Sequence, residues 1–297
     1  MGQASKVARL SWLSAYGFLL PALLLLLVFT VFPLILGSVL SLFQYNVVSP
    51  PQFVGLNNFK EIMTDPVAHI AFRNSLVYLL VVPVLQLFSI LLALVVNQET
   101  KGMHFFRMLF YVPVITSIIV VALAWKWLLA EQGLFNGILM SLHWIHEPIH
   151  WLTDPSIALY SVMLVTFWKG LGYYMVIYLA GLQVIDPQYE EAAKLDGANW
   201  LHVFRHITLP LLKPSIAFCT LISCIAAVKV FAEIYVMTEG GPLLSTTTMV
   251  YYMYDLFMNQ LKLGYAAALG LLLAVAIGLL SYVNYRFFRE GGFESYT

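Results

Sequence analysis

Runs of about 20 or more apolar residues recur six times along this chain, at about 15–43, 70–97, 107–130, 157–184, 214–237 and 264–287. With about 1.5 Å of rise per residue, roughly 20 helical residues cross a hydrocarbon core about 30 Å thick. Each run therefore reads as a membrane-spanning helix, and the segments between them are too short for a separate soluble domain. The expectation is an all-α integral membrane protein of six transmembrane helices, a single domain over residues 1–297. Composition agrees: 61% of the residues are hydrophobic and 10% are charged, against roughly a quarter charged in soluble domains. The 15 basic and 15 acidic residues cancel, and the basic ones are too scattered for a phosphate-tracking patch, which sets nucleic-acid binding aside.

Lys6 and Arg9 resemble the basic start of a signal peptide. The apolar run behind them is far longer than a signal core and holds no small-residue cleavage site, so it reads as a retained first span. Cytoplasmic segments of membrane proteins hold an excess of Lys and Arg. With both termini inside, those segments carry Lys6, Arg9, Lys101, Arg107, Lys194, Arg205, Lys213, Arg286 and Arg289, while the other side has Lys60, Lys262 and, near the membrane edge, Arg73. Both termini are therefore expected to be cytoplasmic. Pro21, Pro33, Pro83 and Pro113 fall within the spans, as do Gly170 and Gly172. Each proline removes a backbone donor, which lipid tolerates only where neighbouring groups satisfy the freed carbonyl. Cys219 and Cys224 stand five residues apart on one helical stretch, too far for a disulfide, and read as buried thiols.

Residues 186–213 form a loop with local signals of its own. Asp186 and Pro187 open a helix over Glu190–Leu195, Gly197 stops it, and a second short helix is expected from about Asn199 to His206 with Trp200, Val203, Phe204 and Ile207 on one apolar stripe. Glu191, Ala192, Ala193, Asp196, Gly197, Ala198, Phe204, Ile207, Leu209, Pro210 and Pro214 together resemble the "EAA" coupling loop of ABC-importer permeases. The resemblance extends over nearly the whole chain. FVGLNNF (Phe53–Phe59), the Arg107–Pro113 stretch, Trp125 with Gly133 and Asn136, and IYVMTEGGP (Ile234–Pro242) are similar to the maltose-permease-like, carbohydrate-uptake branch. Phe231, Ala232 and Glu233 depart from the Phe-Asp-Glu frequent there.

That resemblance implies a type I importer fold in a bacterial or archaeal inner membrane. It also implies three partners: a second permease subunit, expected to be a different chain, two copies of a cytoplasmic ATPase subunit, and an extracytoplasmic solute-binding protein. ATP and Mg would sit at the ATPase subunits, and no cofactor on this chain. ATPase closure would move the docked loop and switch the permeases between inward- and outward-facing states. Glu190, Glu191, Ala192, Ala193, Asp196 and Gly197 are the coupling candidates: Glu191 as a salt-bridge partner, Ala192, Ala193 and Gly197 allowing close approach, and Asp196 capping the turn.

A charge at a helix centre costs about 2.5–3.5 kcal/mol on insertion scales, so each one needs a reason. Lys126 lies near the outer end of its span and is expected to snorkel. Lys169 is mid-span and, with Thr166, Trp168, Gly170, Tyr173 and Tyr174, supplies the aromatic faces and hydrogen-bonding groups that suit a sugar. Lys229 and Glu233 are four apart and can pair on one helix face or serve in the pocket or its gate, and Lys169 with Lys229 keeps an anionic solute open. Ser223, Ala227 and Val230 follow at helical spacing on a face that the resemblance places along the solute path. His143, His146, Glu147 and His150 cluster in an external loop, but Pro148 interrupts any helix that would align them as metal ligands. The phosphate-binding G-x-x-x-x-G-K-[ST] is missing, so energy must come from partners. An ion-driven secondary carrier or channel is the competing reading. It would be expected to use intramembrane carboxylates, of which Glu233 is the clear mid-span case, and would have no use for the coupling loop. An intramembrane enzyme has no motif behind it.

Overall fold

The computed structural model describes residues 16–98 and 102–289. Lys6, Arg9 and Lys101, which carry part of the orientation argument, lie outside the described residues. Among the described residues, four helices are long and apolar enough to cross a membrane unbroken, and the number rises to six if each of two bent helix pairs is one crossing. The chain packs as two units, one of residues up to Thr64 with Asp255–Leu272, the other of Asp65–Tyr254 with the residues from Leu273.

The first unit begins with helix α1 (Tyr16–Leu40). Its middle is a π-turn, Leu27–Val31, immediately before Pro33, whose ring would clash with the carbonyl four residues back in a regular helix. The helix stops short of the expected residue 43 because the chain turns into a hairpin, β1 (Phe43–Asn46) and β2 (Ser49–Phe53), antiparallel with Phe43 opposite Phe53. This strand pair is a departure from the all-helical expectation. Helix α2 (Asn57–Thr64) follows. Its buried Asn58 donates to Ser41 O at 2.8 Å and Phe43 O at 2.9 Å, fixing the hairpin. Gly264 meets the same strand so closely that a Cβ there would lie 1.9 Å from Phe43 O.

The second unit contains α3 (Pro66–Tyr78), α4 (Val81–Val96), α5 (Met103–Ile115), α6 (Ile118–Leu128), α7 (Leu134–Ser141) and α8 (Ala158–Gln183). It continues with α9 (Pro187–Leu195), α10 (Trp200–Leu211), α11 (Lys213–Val228) and α12 (Ala232–Met237). Helices α13 (Met249–Met258) and α14 (Leu263–Arg289) complete the chain. Buried Tyr78, Val82, Ala122, Val162 and Val165 form one core cluster, and Leu85, Ala93, Met175, Tyr178 and Cys219 another. Apolar side chains gain little from leaving lipid for protein, so close backbone approach carries much of the association. Gly172 supplies it: a Cβ there would stand 1.9 Å from Phe110 O, so α8 lies directly on the backbone of α5.

The run at 70–97 is interrupted only by a short turn at Leu79 and Leu80, and two other expected spans are sharply bent or broken. The run at 107–130 divides at Thr116 and Ser117, both extended, and α5 and α6 meet at 99°. The run at 214–237 ends its first helix at Val228 and resumes at Ala232, and α10 joins α11 at 67°. The segment from Thr238 to Thr248 is held by one of its own threonines and by Asn74 of α3. Thr247 Oγ1 donates to Gly240 O at 3.0 Å, and Asn74 Nδ2 donates to Leu244 O at 3.0 Å and Thr247 O at 2.9 Å.

Candidate functional site

A cavity of about 300 Å³ lies among α4, α8 and the α11–α12 break, and the ends of α5 and α6 also contribute to its wall. Of the residues singled out in the sequence, Thr166, Lys169, Gly170, Tyr173, Tyr174, Ser223, Ala227, Val230 and Glu233 line it, with Val81, Val82 and Leu85 opposite. Trp168 does not: its ring packs edge-on against Trp125 at 5.5 Å. Lys229 does not either, being exposed at the C-cap of α11. The expected Lys229–Glu233 pair is also overturned. The helix breaks between the two residues, and the ion pairs found among the described residues are His150–Glu131 and Lys194–Glu190.

Glu233 instead accepts from Thr166 Oγ1 at 3.2 Å. Thr166 has one hydroxyl proton, so in the 2.6 Å contact between Tyr78 and Thr166 the tyrosine donates. The result is a relay from Tyr78 on α3 through Thr166 on α8 to Glu233 on α12. A second polar group lies deeper. Gln86 Nε2 donates to Ser223 Oγ at 2.8 Å, Tyr178 OH donates to Gln86 Oε1, and Ser223 Oγ donates to Cys219 O at 2.7 Å. Tyr78 and Gln86 were not marked in the sequence. The available signal was a polar side chain inside an apolar run, where an unsatisfied group is costly.

Both intramembrane lysines satisfy broken helices. Lys169 Nζ donates to Pro113 O at 3.0 Å, Val114 O at 3.3 Å and Thr116 O at 2.9 Å, the carbonyls that the α5–α6 break leaves without helical partners. Lys126 Nζ donates to Val236 O at 2.9 Å in the last turn of α12, in place of the expected snorkelling. In both cases a cation sits at the negative end of a helix.

A second candidate surface is the α9–α10 module. Asp186 accepts from Gln188 N at 3.0 Å and Pro187 occupies the first turn. Gly197 N donates to Lys194 O at 3.1 Å and Ala198 N to Ala193 O at 2.9 Å, with Gly197 at φ +82°. These two bonds form a Schellman end, whose left-handed residue favours glycine. Asp196 holds the C-cap position, and Asn199 Oδ1 then caps α10 by accepting from His202 N at 2.8 Å. The second helix runs beyond the expected His206, through a π-turn at Phe204–Thr208, to Leu211. Glu190 pairs with Lys194 at 3.7 Å. Glu191, Ala192, Asp196 and Gly197 are exposed and Ala193 is half-buried. Around them Leu195 is 89% exposed, Trp200 67% and Leu201 62%, an apolar face at a site rich in charge.

The loop histidines do not converge. His150 Nδ1 meets Glu131 at 2.8 Å, and no group of three or more His, Cys, Asp or Glu side chains is placed to hold a metal among the described residues. Asn136 organises that loop: its buried amide donates to Ile149 O at 2.9 Å and accepts from Trp151 Nε1 at 3.0 Å.

Residues 85–290 match the family described as "Binding-protein-dependent transport system inner membrane component". The chain is 33% identical over 291 residues to the lactose transport system permease protein LacF of Rhizobium radiobacter, covering 96% of this chain and 97% of that one. It is 31% identical over 278 residues to the arabinooligosaccharides transport system permease protein AraP of Bacillus subtilis, covering 91% and 86%. Among solved structures, a subunit of a bacterial alginate ABC transporter, in complex with an alginate-pentasaccharide-bound periplasmic protein, superposes with a TM-score of 0.84. Its identity is 25%, and 96% of each chain is covered.

Proposed function

The chain belongs to the inner membrane components of binding-protein-dependent transport systems, and from that premise we propose that it is the ABC-importer permease subunit through which a sugar or oligosaccharide crosses. The observation that carries the reading is the α9–α10 module. Leu195, Trp200 and Leu201 are exposed beside the small residues Ala192 and Ala193, in a loop whose helices are each capped at their own ends. A rigid helix pair with an exposed apolar face is built to dock, and a chain without a phosphate-binding loop needs an ATPase to dock on it.

On this reading each bent pair is one crossing, six in all, and both termini lie on the cytoplasmic face with Arg107, Lys194, Arg205 and Lys213. The chain works beside a second permease subunit, two ATPase copies that hold ATP and Mg, and an extracytoplasmic binding protein. ATP hydrolysis belongs to the ATPase copies. Glu190, Glu191, Asp196 and Gly197 are within the docking face. The cavity at Thr166, Lys169 and Glu233 is this subunit's wall of the solute path, and the sugar class follows the names of the relatives. Polar groups among apolar walls fit hydroxyls and C–H faces together.

The test is purification of the tagged chain in mild detergent, followed by reconstitution into liposomes. Co-purification of an ATPase subunit and a second six-helix chain, with uptake that requires ATP and the binding protein, is the expected result. Transport by this chain alone without ATP would overturn it in favour of the secondary carrier.

A further inference from the structure

Two charged side chains, Lys169 and Glu233, line the cavity, and their hydrogen bonds divide their roles. An ammonium has three donors. All three of Lys169 are matched by carbonyls, those of Pro113, Val114 and Thr116. None is left to hold a solute anion, and the charge itself faces the negative end of α5. Lys229, the other cation expected here, is outside the wall. Lys126 is engaged with Val236 O.

Glu233 is the converse case. A carboxylate has about four lone-pair positions. Thr166 occupies one, which leaves accepting capacity toward the cavity. Ser223, another polar group of the wall, directs its proton to Cys219 O. The charged group still able to bond a solute is thus an acceptor, set among Val81, Val82 and Leu85. A sugar hydroxyl can donate to it, whereas an anion in the same place meets a like charge in a poorly screened site.

We propose that this wall admits uncharged, hydroxyl-rich solutes and rejects carboxylate- or sulfonate-bearing ones, with Glu233 as the residue that makes the distinction. The proposal rests on the cavity being the solute path. It is independent of the backbone likeness to the alginate importer, because charge selection depends on side chains and not on the fold.

The test uses the assembled importer with its ATPase subunits and without the binding protein, so that selection by that protein does not enter. Saturation-transfer NMR compares cellobiose, lactose and maltotriose, each against its own aldonate, in which the reducing end is oxidised to a carboxylate. At least one neutral member is expected to bind, with its aldonate weaker by about tenfold or more, the scale of one like-charge contact in a partly screened site. Glu233→Gln should close most of that gap by strengthening the aldonate. Glu233→Asp, which keeps the charge, should keep the gap, and size-exclusion chromatography reports whether each variant assembles. An aldonate that binds wild type as well as its neutral partner, saturation by no neutral member, or a gap unchanged in an assembled Glu233→Gln would overturn the proposal. Absence of the ATPase subunit from the wild-type preparation would instead overturn the importer reading, so the two failures are distinct.

Discussion

Lys169 shows how much a single side chain does in a chain with few charges. Its ammonium joins α8 to the three carbonyls at the end of α5, which the break leaves without helical partners. Lys169→Met removes three bonds at once. It should lower stability by about 2 kcal/mol or more, since each buried group left unsatisfied costs about 1–3 kcal/mol. Thermal unfolding of the purified importer reads this, and unchanged stability with weakened solute binding would move Lys169 from a helix cap to a solute ligand. Gly172 and Gly170 make a second contrast two residues apart. A Cβ at Gly172 would enter the Phe110 carbonyl at 1.9 Å, whereas one at Gly170 would meet the tip of Leu85 at 3.0 Å. Backbone on backbone has no room to give, so Gly172→Ala should cost about 1–3 kcal/mol as overpacking does. Gly170→Ala should cost clearly less, because a leucine tip can rotate. Parallel melting curves of the two variants decide it, and equal losses would mean that α5 and α8 separate more readily than this contact implies.

Among the elements, the α9–α10 module is where function and local sequence coincide. Its apolar face is exposed and its ends are closed by its own caps, so a substitution on the face should leave the rest of the fold intact. Leu195→Asp is expected to reduce ATP-dependent uptake by about tenfold or more, as removal of an interface anchor does, while neutral-sugar binding at the cavity stays as in wild type. Loss of both together would place Leu195 in the fold and not at the docking face. This module was legible in the sequence because each of its signals is local: Asp186 and Pro187 start it, Gly197 takes the left-handed turn, and Asn199 starts the next helix. The breaks in the third and fifth spans were not. Apolar runs there continue through Thr116 and Lys229; the carbonyls freed at the first break are capped by Lys169 from another helix, and Lys126 caps the far end of α12 at Val236 O. No window of sequence contains both partners. The hairpin was hidden for another reason, since Ser49, Pro50 and Pro51 in β2 are poor strand formers. The pairing is sustained by Asn58, whose amide reaches back to Ser41 and Phe43.

For the whole molecule, burial is uneven in a way that points to a missing partner. In the most apolar stretch of α1 none of the residues is buried, against 44% in the helix Pro66–Val96 and 44% in α8. So exposed an apolar helix meets lipid or another protein, and its π-turn and proline make its surface irregular. The cavity leads to the same conclusion, because Thr166, Lys169 and Glu233 form a wall with Val81 and Val82 and not a closed site. Anything that binds the folded chain and not the unfolded one adds stability by mass action, about 2.7 kcal/mol at a hundredfold excess over the dissociation constant. The chain purified with the second permease subunit should therefore unfold several degrees above the chain alone in the same detergent. Deletion of Tyr16–Leu40 should remove most of that difference if α1 carries the contact. A melting temperature that is the same with and without the second subunit would show that lipid or detergent alone covers α1.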